Sequence, residues 1–339
     1  MKIIRIIANC KRYRCMRKLT LLLCLFAGMF ILPKESYSQD PEFTQFYANP
    51  LYLNPAFAGT ARCPRLIMNY RNQWPAISGT FVTYSASYDQ HLDAVSGGIG
   101  ILITSDEAGQ ATLTKRNASF LYSYHLPVSR DFSFKIGFQG TFSQLSLDWS
   151  KLTWGDMIHE RYGFVLTGQE QQPGNTTVIY PDFSVGLLGY SKNLYFGGAV
   201  HHLFEPDEKF LTTTSPLPMK ITAHAGAVIE MGGRYGTRGE ESSISPNILY
   251  QMQQDFRQLN LGMYVTKGPI VGGVWYRNLD AFIVLLGIQQ DMYKFGYSYD
   301  LTISKLSSAT AGSHELSFAL QFDCRPKKKK FRTISCPSF

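Results

Sequence analysis

The segment FSFKIGFQGTF, Phe132 to Phe142, decides the fold. Phe132, Phe134, Ile136, Phe138 and Phe142 fall on one side of a period of two, and Ser133, Lys135, Gly137, Gln139 and Thr141 on the other. Alternate residues of a strand share a face, so this segment reads as a strand with one apolar face and one small or polar face. The pattern recurs. Phe295, Tyr297, Tyr299, Leu301 and Ile303 alternate with Lys294, Gly296, Ser298, Asp300 and Thr302; Leu316, Phe318, Leu320 and Phe322 alternate with Glu315, Ser317, Ala319 and Gln321. Amphipathic helical stretches are hard to find, and after residue 38 no apolar run reaches the roughly 20 residues of a transmembrane helix.

A soluble β-sandwich would alternate too. Three features favour a transmembrane antiparallel β-barrel: an export leader, polar faces rich in Gly, Ser and Thr, and aromatic residues crowding the strand ends, where a bilayer interface wants them. Candidate strands run from 65–74 to 314–322 and number about fourteen, including 95–105, 194–204 and 219–231. An even count returns both ends of a barrel to one side. Connections alternate in length. Pro127–Arg130, Ser191–Asn193, Lys267–Gly268 and Asp291–Met292 are short, whereas Leu145–Thr176, Glu205–Pro218 and Ser304–Ser313 are long. Short periplasmic turns and long outer loops are the expected asymmetry.

The leader is residues 1–38. Arg17 and Lys18 precede an apolar core, Leu19 to Leu32, and Ser36 and Ser38 place small residues at −3 and −1, so cleavage is expected near Ser38/Gln39. The alternative is an N-terminal membrane anchor. Cys24 follows Leu23, where a lipoprotein signal wants a small residue. The whole chain holds 33 basic and 25 acidic residues; without the eight basic residues and one acid of the leader, 25 basic face 24 acidic, a net of +1. Nucleic-acid binding loses its electrostatic support. The chain therefore divides into leader (1–38), an irregular N-terminal segment (39–64), barrel (65–322) and a basic tail (323–339) carrying Arg325, Lys327 to Lys330 and Arg332.

Residues 44–64, TQFYANPLYLNPAFAGTARCP, are neither helical nor a central strand by their prolines, yet too apolar for a loose linker. Pro41, Pro50, Pro55 and Pro64 lower the entropy cost of ordering this ribbon. Its aromatic residues need burial, which the lumen or the periplasmic mouth could supply. It reads as a plug or docking element that starts on the periplasmic side, or as a structural lid without a partner.

Catalytic constellations are scarce, and no enzyme activity, cofactor or metal is expected. Beyond the adjacent His201 and His202, no histidine pair has ligand spacing. On a strand those two would point to opposite faces. Asp156, His159 and Glu160 read as a solvated loop. No G-x-S-x-G and no phosphate-binding glycine loop occurs. Gly97, Gly98 and Gly100 within a strand mark a bulge or close packing.

Residues Gln39 to Gly59, QDPEFTQFYANPLYLNPAFAG, resemble the N-terminal signature of the PorP/SprF family of type IX secretion outer-membrane proteins, with Phe46 where Tyr is usual. Further similar runs follow in order: Trp74-Pro75, Trp275-Tyr276-Arg277, Gly296 to Asp300, Gly312 to Glu315, and the ending Cys336 to Phe339. The resemblance implies a barrel in the outer membrane of Bacteroidota. It implies partners among type IX components and a large adhesin cargo with a C-terminal sorting domain, moved along the surface in gliding cells. It points to Phe43, Gln45, Asn49, Pro50, Leu53, Asn54, Pro55, Ala56 and Gly59 as the partner-docking signature. The alternative function is a transporter of small hydrophobic solutes. Barrel closure would bring Cys63 near Cys324, and the short tail could return Cys336 as well. The Cys-Pro elements of the resemblance favour Cys63–Cys336 over Cys63–Cys324.

Overall fold

The computed structural model describes residues 39–61, 63–165, 168, 174–210, 214–231, 242–290, 292–303 and 311–322. Among them fourteen long strands form one antiparallel sheet closed on itself. They are β1 (Arg65–Gln73), β2 (Phe81–Leu92), β3 (Gly97–Ala108), β4 (Leu113–Pro127), β5 (Phe132–Leu147), β6 (Thr177–Ser191) and β7 (Leu194–His201). Then follow β8 (Lys220–Ala227), β9 (Ser242–Gln253), β10 (Phe256–Lys267), β11 (Ile270–Arg277), β12 (Ala281–Gln290), β13 (Tyr293–Thr302) and β14 (Ser313–Gln321). After Val228, Ile229–Glu230 resumes pairing with β9. β1 pairs with β14 from Arg65↔Gln321 to Gln73↔Ser313, which closes the ring. Among the described residues, the ring of long strands has no open edge to template aggregation.

Side-chain alternation obeys the sequence. Phe142, Ile179 and Leu286 point outward and are among the most exposed apolar side chains, while Lys135, Asp89, Ser123 and Glu315 are buried inside. An apolar outer band over a polar interior is the pattern of a barrel in lipid.

We call the end where Pro64 and Phe322 meet the entry end; there the Phe322 amide donates to the Pro64 carbonyl at 2.9 Å. Entry-side turns are short, as at Gly268, whose φ of +58° suits glycine. The length contrast is less tidy than the sequence suggests. Glu230 and Ser242, both at the entry end, are separated by eleven residues, whereas the far-side connections Gln254–Asp255 and Asn278–Asp280 are short. The far-side loop after β5 contains a small hairpin, Ile158–His159 against Gly163–Phe164.

Residues 39–61 do not sit at the mouth. They run through the lumen. Phe43, Phe46, Tyr47, Leu51, Leu53, Ala56 and Phe57 are all buried. The ribbon is also less irregular than its prolines suggest. It makes three single turns, Phe46–Ala48, Pro50–Leu53 and Pro55–Phe57, with Pro50 and Pro55 at first-turn positions, where the missing N–H costs nothing. The expectation that it begins on the entry side is wrong. Asp40 contacts Gln253, His202 and Lys115 at the far end, whereas Gly59 contacts Asp89 near the entry end. The expected separation of the two adjacent histidines also fails. His202 has a left-handed φ of +57°, which ends β7 and turns its ring back, so that both rings border one polar void.

Wall glycines make room for the ribbon. A Cβ on Gly137 would lie 2.2 Å from the Ala56 nitrogen, and one on Gly98 would lie 2.1 Å from the Ala58 carbonyl oxygen. Both obstacles are backbone, which cannot swing aside. We therefore expect Gly137→Val to destabilise the plugged barrel by about 1–3 kcal/mol, the usual cost of overpacking. It should also expose residues 50–60 to protease. Gly272→Ala, with no atom within 4 Å of the new methyl, should leave thermal unfolding and proteolysis unchanged.

Candidate functional site: the ribbon in the lumen

A carboxylate holds the ribbon near its start. Glu315 on β14 accepts the main-chain amides of Thr44 at 2.6 Å and Gln45 at 3.1 Å, and the Thr44 hydroxyl at 2.8 Å. Arg71 on β1 balances it, with Nη1 3.5 Å from Glu315 and Nη2 3.1 Å from Asp300 on β13; Arg277 on β11 lies 3.5 Å from Asp300. All four charged groups are buried. Charge-assisted bonds to main-chain N–H are about twice as strong as neutral ones, and buried charges persist when paired.

The signature residues fill defined roles. Gln45 donates to the Glu315 carbonyl at 3.0 Å and accepts from Ser317. Asn49 donates to Ser85 at 2.9 Å. Asn54 caps the third turn by accepting the Ala56 amide at 2.9 Å, and its Nδ2 donates to the carbonyls of Leu187 and Gly198 on β6 and β7. Leu53 and Ala56 are packed with the core, and Phe43 meets Tyr52 edge on at 5.1 Å. Phe46 packs against Trp275 at 5.0 Å, an apolar contact that needs no tyrosine hydroxyl. Near the entry end, Lys135 and Ser123 donate to the Ala58 carbonyl. Gly59, with φ +63°, donates to Asp89, which also pairs with Arg65 at 2.9 Å.

Scattered sequence runs meet here. Trp275 and Arg277, Asp300, and Glu315 sit on β11, β13 and β14 and face one region of the lumen. Trp74 donates its amide to the Gly312 carbonyl at 3.1 Å, tying the Trp-Pro step to the run that holds Glu315. Sequence reasoning listed these runs but gave none of them a contact with the ribbon. It placed Lys135 on a polar face without a role, and it did not single out Arg71, Asp89 or Asp182. Their signal was present: charged residues on the inward parity of a strand require partners. Asp156, His159 and Glu160 lie on the far-side loop, where Asp156 and Glu160 are exposed. Cys63 is disulfide-bonded. Its candidate partners, Cys324 and Cys336, lie outside the described residues.

The family profile described as "Type IX secretion system membrane protein PorP/SprF" matches residues 35–320. The chain belongs to the PorP/SprF family. It is thus an outer-membrane β-barrel of the type IX secretion system. No curated protein matches this PorP/SprF chain. Among solved structures, it is similar to the Acinetobacter baumannii outer membrane protein Omp33, at a TM-score of 0.42 and 9% identity, covering 78% of this chain and 100% of that one. It is also similar to the P. putida toluene transporter TodX, at a TM-score of 0.43 and 12% identity, covering 82% and 95%. Likeness at these scores says nothing about substrate.

Above the Glu315 cluster, His202 bridges ribbon and wall. Its Nε2 lies 2.6 Å from Asp40 and its Nδ1 2.7 Å from Asp182. Burial lowers the affinity of the imidazole for a proton, but the two carboxylates outweigh it and raise its pKa to about 9. A raised pKa in the folded state means that this tether is fully present below about pH 6.5 and is lost as pH rises through about 9.

Two tests follow from this geometry. Protease protection of residues 39–44 should decline between pH 7 and 9.5 in the native protein, and His202→Gln should flatten that decline. Glu315→Ala leaves the amides of Thr44 and Gln45 without their acceptor and takes from Arg71 one of its two carboxylate partners. It should destabilise the barrel by about 3–5 kcal/mol in thermal unfolding, the range for a broken buried pair.

Proposed function

We propose that this barrel supports secretion and surface retention of one adhesin-type cargo bearing a C-terminal sorting domain, and that it acts by binding rather than by catalysis or solute transport. The observation that carries this reading is the occupied lumen. A route for small hydrophobic solutes needs a continuous apolar path, and ligand pockets typically offer about 300–1,000 Å³. The void left beside the ribbon is about 50 Å³ and is bordered by Ser119, Thr141, Asp182, His201 and His202. Such a plugged wall suits a membrane anchor for a protein partner. The same proposal includes removal of residues 1–38 between Ser38 and Gln39, with the long loops facing outward and the entry end facing the periplasm.

Deleting the gene tests the function. One adhesin should disappear from the cell surface while other type IX cargo is still exported. Normal adhesin display with impaired uptake of apolar nutrients would favour the transporter. For the disulfide we take Cys63–Cys336, which would staple the end of the ribbon to the tail. Peptide mapping of unreduced protein should recover that pair, and a Cys63–Cys324 peptide would overturn it.

A further inference from the structure

The ribbon threads the barrel from one mouth to the other. At its start, the Asp40 amide donates to Gln253 Oε1 at 3.1 Å, and the Asp40 carboxylate meets His202 at 2.6 Å and Lys115 at 3.5 Å. Gln253 ends β9, His202 follows β7 and Lys115 is near the start of β4, so all three mark the far end. Gln39 is exposed there and borders a shallow cleft with Glu42, Lys220, Gln251, Met252 and Phe256. At the ribbon's other end, Gly59 bonds Asp89 and the chain passes through Pro64 into β1 at the entry end. The intervening segment is locked at several levels by Glu315, Ser85, the Leu187 and Gly198 carbonyls, and Lys135. Its two ends therefore open on opposite sides of the membrane-spanning wall.

We propose that the amino terminus created by leader removal is displayed on the cell surface, at the outward mouth of the barrel. This inference rests on the cleavage and orientation given under the proposed function. It also sets an order of events. Gln39 lies at the far mouth, across the wall from the side at which β1 begins. Leaders are removed during export, on the inner side of the outer membrane. Cleavage therefore precedes seating of the ribbon. A signature that fills the lumen thus also delivers a free peptide end to the surface, held by Asp40 directly behind it.

Cysteine labelling on intact cells tests this. A Gln39→Cys variant is treated with a membrane-impermeant maleimide, and the label is mapped to the first tryptic peptide. Tyr162→Cys, on the exposed far-side loop, reports orientation, and the intact mass of the purified chain reports cleavage. We expect Gln39→Cys to react on intact cells to the same extent as Tyr162→Cys. Reaction of Gln39→Cys only after permeabilisation, with Tyr162→Cys reactive on intact cells, overturns the inference and leaves the functional reading standing. Protection of both on intact cells overturns the orientation and the inference with it. A retained leader overturns the processing step. Adhesin display measured in the same cells addresses the functional reading alone. Heat-modifiable migration of each variant excludes misfolding, and a short epitope inserted before Gln39 replaces the cysteine if that variant does not fold.

Discussion

A barrel of fourteen strands encloses more space than its own inward side chains fill, since about eight strands already give an interior that side chains can occupy. The rest of the structure follows from how that space is used. Here an N-terminal ribbon occupies it, and the ribbon's main chain must find hydrogen-bond partners away from water. Glu315 answers for the amides of Thr44 and Gln45, Asp89 for Gly59, Lys135 and Ser123 for the carbonyl of Ala58. The buried carboxylates of the wall thus serve the ribbon, and a chain of counter-charges balances them, Arg71 for Glu315 and Arg65 for Asp89. Arg71, Asp300 and Arg277 supply that chain around the upper lumen.

The two halves of the lumen are filled differently. On one side Phe46, Tyr47 and Trp275 pack with Tyr195 and Tyr264 as an apolar core. On the other, hydroxyl and amide side chains face the ribbon across a small polar void. Small wall residues decide where the ribbon approaches closely. Gly98, Gly137 and Gly186 admit Ala58, Ala56 and Asn54 at separations a Cβ would forbid. Charged tethers and close packing together make the plug part of the folded barrel. A membrane protein so built offers its loops, its outer wall and its ribbon end to partners.

Much of this was legible in the sequence. Period-two alternation at 132–142 and 295–303 gave the barrel, because lipid outside and a polar lumen inside impose opposite chemistry on alternate residues. The even strand number and most strand positions came from the same rule. The ribbon's prolines and aromatic residues marked it as ordered and buried, and the resemblance over Gln39 to Gly59 named the family.

Other features required the closed barrel. The partners of Gln45 and Thr44 lie some 270 residues away, on a strand that reaches them only after the ring closes. No local pattern could pair Glu315 with an amide, or Gly137 with Ala56, because those contacts depend on depth within the lumen. The ribbon's direction was beyond the sequence for the same reason: alternation shows which face is inside and says nothing about which mouth a threaded segment starts from. His202 shows the limit most locally. Strand parity placed it opposite His201, and a single left-handed residue at the end of β7, held by Asp40 and Asp182, turned it inward. Sequence periodicity thus determined the wall, whereas tertiary closure determined what the wall holds and in which direction it runs.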